Sequence, residues 1–112
     1  PLNTVQMSDS TVRAVKEGMH NLTTGSLSYY FSKCVVSAGA KTGTAETGIN
    51  NTNNGVFVCF APYDDPQIAV AVVIEKGGSG AALASTAVDI VNSYFSQEEI
   101  GAVIIGENTL LK

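Results

Sequence analysis

Four consecutive residues have the types and spacing to do chemistry: Lys41, Thr42, Gly43 and Thr44, inside the stretch SAGAKTGTAETG at 37–48. In an extended strand the side chains alternate, so Lys41 and Gly43 share one face while Thr42 and Thr44 share the other. At a sheet edge, the lysine charge, two hydroxyls and free backbone N–H groups could together grip a carboxylate or a carbonyl oxygen. That is a description of an anion and oxyanion site. Gly and Ala are poor strand formers, and a glycine within a strand often marks the close approach of a ligand or a second backbone. The four residues also fit a plainer role, an edge strand whose lysine guards against unwanted pairing.

The elements that must position this stretch follow from periodicity. Residues 8–24, SDSTVRAVKEGMHNLTT, read as an amphipathic helix with Val12, Val15, Met19 and Leu22 on one stripe. Ser8 is its N-cap and Gly25 its stop. SLSYYFSK reads as a loop. Strands are predicted over about 35–46, over 56–60 (VFVCF, apolar on both faces and so covered on both), and over 67–75. Short polar connections, TGINNTNNG and APYDDP, favour antiparallel hairpins. A second helix is predicted over 81–95, with Leu83, Ala87, Val88, Val91 and Phe95 buried and Asn92 facing mostly away. Its alanine-rich first turn would suit the alanine face of the third strand, Ala69 and Ala71. The tail at 97–112 carries an apolar patch, Val103 to Ile105, that would add an edge strand or dock loosely.

The totals narrow the options. A chain of 112 residues, 45% apolar, has the length of one folded domain. A formal charge of −4 without a basic run offers no electrostatic footprint for nucleic acid or an anionic membrane. The longest apolar run, IAVAVVI, is far shorter than the ~20 residues of a membrane span. Cys34 and Cys59 match no metal or redox spacing and read as buried small hydrophobes. No cofactor or metal motif stands out: GGSG is a strand-to-helix turn, Asp64 and Asp65 are turn residues between prolines, and His20 is expected at the surface.

AKTGTAE, followed by GVFVCFAPYDDPQIAVAVVIEKGGSG and an alanine-rich terminal helix, resembles the C-terminal part of penicillin-binding protein transpeptidase domains of the monofunctional, class B type. The Lys-Thr-Gly triplet is a signature shared with class A β-lactamases. The likeness runs from about Met7 to Phe95, includes the helix SDSTVRAVKEGM and leaves out only the tail. It implies an α+β fold, an antiparallel sheet of at least three strands flanked by helices, as an incomplete piece of the penicillin-binding and serine β-lactamase-like transpeptidase fold. In that family the sheet has five strands, two of them from the N-terminal portion of the domain. Without them the third strand would expose an edge. One sheet face, roughly 340 Å² for three strands of seven residues, would also lose its covering helices, and self-association or a covering segment is expected.

The resemblance also implies a function. In the family a serine attacks the carbonyl between two terminal D-alanines of a peptidoglycan stem peptide, and the acyl-enzyme passes to an amine of a neighbouring strand. β-Lactams acylate the same serine. By resemblance Lys41 and Thr44 are catalytic residues, and Thr42, Gly43 and Thr44 bind the substrate. The partners implied are the D-Ala-D-Ala stem peptide, β-lactams and the remainder of the domain, with no cofactor and no metal. The implied location is the extracytoplasmic face of the bacterial cell membrane, with the anchor outside this sequence. The family's two other motifs, Ser-x-x-Lys and Ser-x-Asn, do not occur at any serine of the 112 residues. Both precede Lys-Thr-Gly in these proteins, so the expectation is a C-terminal segment of a larger enzyme, inactive by itself. A β-lactam sensor, a non-catalytic scaffold and a serine β-lactamase share the triplet and stand as alternatives.

Overall fold

A computed structural model describes residues 2–49, 52–76 and 78–111. Helix α1 spans Asp9–Thr24, the short helix α2 Ser28–Phe31, and strands β1, β2 and β3 span Gly39–Glu46, Asn53–Ala61 and Ile68–Ile74. A 3-10 turn, Gly80–Leu83, then leads into helix α3, Ala84–Leu111. The strands form one antiparallel sheet in the order β1-β2-β3, so β1 and β3 are its edges.

Local chemistry sets the ends of α1. The Ser8 hydroxyl accepts from the Thr11 N–H, and the helix stops where the Gly25 N–H reaches Asn21 O. Only the C-terminal half of its apolar stripe packs. Met19 and Leu22 are half-buried, while Val12 and Val15 are exposed. The segment read as a loop holds α2, and Leu27, the residue at its N-cap, is buried in the core.

Register assigns the two faces of the sheet. Thr42 pairs with Phe57 and Phe57 with Val72; Ala40 pairs with Cys59 and Cys59 with Val70. These residues lie on one face, against Leu83, Ala84, Ala87 and Val91. The opposite face carries Lys41, Val58 and Ala71 in one row and Gly43, Val56 and Val73 in the next. There Val58, Ala69, Ala71 and Val73 are exposed. Two expectations are thereby corrected. VFVCF is fully covered on one face only, since on the other Val58 is exposed and Val56 and Phe60 are half-buried. Helix α3 rests on the Ile68, Val70 and Val72 face of β3 rather than on its alanines. The larger side chains win because they remove more apolar area from water.

Two further boundaries differ from the periodicity. Residues 35–38 are not strand, because their backbone groups are bonded elsewhere. Asn92 straps them, accepting from the Val35 N–H at 2.9 Å and donating to Lys33 O at 2.9 Å, so it faces inward. Ser37 O accepts from the Tyr63 N–H, and Ala38 O from the Thr23 hydroxyl at 2.7 Å. At the other end, α3 continues through the tail, which is helical to Leu111 and adds no edge strand.

Candidate active site

The stretch 41–44 lies on the edge strand β1, where half of the backbone N–H and C=O groups point away from β2. Lys41 is exposed on the open face, and its ammonium donates to Thr42 O at 2.7 Å. It lines a groove of about 460 Å³ between α1 and β1, together with Val15, Gly18, Met19, Leu22, Ala40 and Thr42. The groove is therefore apolar along the helix and cationic at the strand.

Gly43 is half-buried and Thr44 exposed, and they pair with Val56 and Gly55. A Cβ added at Gly43 would meet nothing nearer than Val56 Cβ at 3.7 Å, which is ordinary contact. Packing within this chain does not require a glycine there. What the bare position leaves is open strand backbone beside a lysine. The structure thus brings Lys41 and Gly43 together on one face and turns Thr42 and Thr44 to the other, as strand alternation dictates.

The strand is fixed at its start by α1. Ala38 O is shared by Thr23 Oγ1 and His20 Nδ1, the latter at 3.0 Å, and the His20 ring stacks on Tyr63 with centroids 4.2 Å apart. Expected at the surface, His20 is instead half-buried, holding the residue just before β1. The Lys16 ammonium lies 5.3 Å from the Tyr63 ring centroid on the same side. A Cβ at Gly39 would press on the tip of the Phe60 ring and lie 3.2 Å from Met19 Cβ, so that ring would have to move. Among the described residues no group of three or more His, Cys, Asp or Glu could hold a metal ion.

The family model for the penicillin binding protein transpeptidase domain matches residues 1–94. The chain belongs to this transpeptidase family. The peptidoglycan D,D-transpeptidase MrdA of Escherichia coli K12 is 35% identical over 85 residues, covering 61% of this chain and 13% of MrdA. Penicillin-binding protein 2B of Streptococcus pneumoniae strain D39 is 37% identical over 108 residues, covering 83% of this chain and 15% of the relative. The chain therefore spans about one-seventh of the length of these curated relatives. Among solved structures, penicillin-binding protein 2B of S. pneumoniae R6 superposes with a TM-score of 0.72 at 32% identity, over 86% of this chain and 17% of that one. Penicillin-binding protein 2 of Helicobacter pylori gives 0.72 at 21% identity over 81% of this chain and 18% of that one, a likeness of fold. The three-stranded sheet with its helices is a part of the transpeptidase fold.

The sequence reads GGSG as a strand-to-helix turn and 81–83 as the first turn of the second helix; in the structure Gly80–Leu83 form a 3-10 turn instead. It lies directly behind β1 and β2: Ser79 O and Leu83 Cδ1 would each stand 3.4 Å from a Cβ at Gly55. Gly80 is buried in this turn, and which strands it meets is set by tertiary packing. No helix among the described residues is long and apolar enough to cross a membrane.

Proposed function

We propose that this chain supplies the Lys-Thr-Gly strand of a peptidoglycan D,D-transpeptidase acting at the extracytoplasmic face of the bacterial membrane. The observation that carries the reading is an edge strand with Lys41 beside a groove and the bare Gly43 next to it. In this reading a serine from the remainder of the domain attacks the carbonyl between the two terminal D-alanines. The Oγ–C bond forms, the C–N bond breaks and the last D-alanine leaves with a proton. An amine of a second stem peptide then attacks the ester, releasing the serine and forming the cross-link. β-Lactams enter at the first step and stay.

The chain's residues have these roles. Lys41 places positive potential beside the nucleophile and the substrate carboxylate. Thr42 and Thr44, on the opposite face of the same edge strand, offer hydroxyls to that carboxylate around the strand's free edge, and the Thr44 N–H is one oxyanion donor. Such a fixed donor is worth about 10²–10³ in rate. Gly43 leaves room for the acyl peptide along the strand. The open sheet face, with Val58 and Val73 exposed, receives the remainder of the domain; isolated, the same face drives self-association. Neither the Ser-x-x-Lys nor the Ser-x-Asn motif lies within these residues, so the 112-residue chain alone is inactive.

The test uses the full-length parent and a fluorescent penicillin. Wild-type protein is expected to label stably, Lys41→Ala about 10²-fold more slowly, and the 112-residue chain not at all. Unchanged labelling of the Lys41 variant defeats the role given to that lysine, and rapid loss of the label from wild type marks a β-lactamase instead.

A further inference from the structure

Gly80 meets the backbone of the candidate site from behind. It is buried at the start of the 3-10 turn, on the packed face of the sheet. A Cβ added there would fall within 3.0 Å of two carbonyl oxygens, those of Gly43 and Val56, and would lie 3.0 Å from Gly43 N. Gly43 and Val56 are register partners across β1 and β2. The contact is therefore with the peptide framework of the Lys-Thr-Gly strand itself, and backbone atoms cannot swing aside as a side-chain tip can.

The turn that presents Gly80 is well held. The Ser79 hydroxyl caps it by accepting from the Ala81 N–H at 3.2 Å, and Ser79 O accepts from the Ala82 N–H at 3.2 Å. Leu83 and Ala84 follow, 4% and 0% exposed, and continue into the buried stripe of α3. A rigid backstop thus lies behind Gly43, while in front the Cβ position of Gly43 is free to 3.7 Å. Within this chain the steric demand for glycine is at position 80, not at position 43.

We infer that Gly80 is a positioning residue for the oxyanion strand: it sets how deep the Gly43–Thr44 backbone sits and so where the Thr44 N–H points. The inference rests on the transpeptidase reading above. Ordinary contact begins at 3.4 Å, so a methyl group at 80 drives the strand forward by about 1 Å. A 1 Å misplacement of a catalytic group costs about 10²-fold in rate.

The experiment follows acylation of the full-length parent by a fluorescent penicillin across concentrations. It separates the maximal acylation rate, the half-saturating concentration and the endpoint stoichiometry. Gly80→Ala is expected to reach the wild-type endpoint with a maximal rate about 10²-fold lower. Ser79→Ala, which loosens the turn without adding bulk, is expected to lose severalfold in the same rate. A reduced endpoint whose surviving fraction reacts at the wild-type rate would show a purely structural role and overturn the proposal. If Gly80→Ala takes no label at all, Ser79→Ala decides, and a wild-type maximal rate there overturns it. Wild-type protein that itself takes no label sinks the transpeptidase reading, and this inference with it; wild-type labelling at a rate that both variants share sinks this inference alone.

Discussion

Strand β2 has apolar side chains on both faces, yet its two faces live in different environments. Phe57, Cys59 and Ala61 are 0–2% exposed beneath α3 and the 3-10 turn, whereas Val58, between two of them, is 37% exposed. On β3 the same division puts Val70 in the core and leaves Val73 62% exposed. Residues of equal hydrophobicity thus differ in what they contribute. The packed face holds the segment together, and the open face carries Lys41 and Gly43 toward whatever completes the site. Side-chain type marks both faces as fit for burial, but the described residues fully cover only one.

The sharpest way to break that contrast is to empty the packed face. Phe57→Ala removes a side chain that is 0% exposed and stacks near Phe31, with ring centroids 6.3 Å apart. It should cost about 3–5 kcal/mol in urea unfolding. A loss below about 1 kcal/mol would mean that the covered face is not the core.

A milder probe compares the two free cysteines. Burial, with a smaller contribution from nearby Cys34, pushes the Cys59 thiol from the ordinary 9.0 up to about 11. Burial also raises Cys34, though that residue is only half-buried. The fold favours the protonated Cys59, so its contribution to stability is complete below about pH 9 and is lost as pH rises through about 11. Alkylation at pH 8 should modify Cys34 well before Cys59. Equal rates under native conditions would place both thiols in the same environment.

The smallest effect belongs to the open face. Val73→Ser in the 112-residue chain should change stability by no more than about 0.5 kcal/mol, as at other exposed sites. It should also lower self-association measured by light scattering. In the full-length parent the same substitution should cost about 1–3 kcal/mol if, as proposed, the remainder of the domain covers this face. Identical costs in the two contexts would refute the assignment of this face to the remainder of the domain.

The sequence by itself determined the local features. Alternation placed Lys41 and Gly43 on one side and Thr42 and Thr44 on the other; capping chemistry bounded α1 at Ser8 and Gly25; helical period picked out Leu83, Ala87, Val88 and Val91. Each of these is fixed by neighbours a few residues away, which is why pattern alone reveals it. The resemblance built on the triplet and its following hairpin also found the family. Tertiary structure decided the rest: that residues 35–38 bond to Asn92, Thr23 and Tyr63 instead of to a strand, that His20 turns inward, that α3 covers the valine face of β3 and runs on through the tail, and that Gly80 lies against Gly43. Those outcomes depend on contacts between residues far apart in the chain, where competing partners are weighed by buried area and satisfied backbone groups. Local periodicity carries no record of that competition.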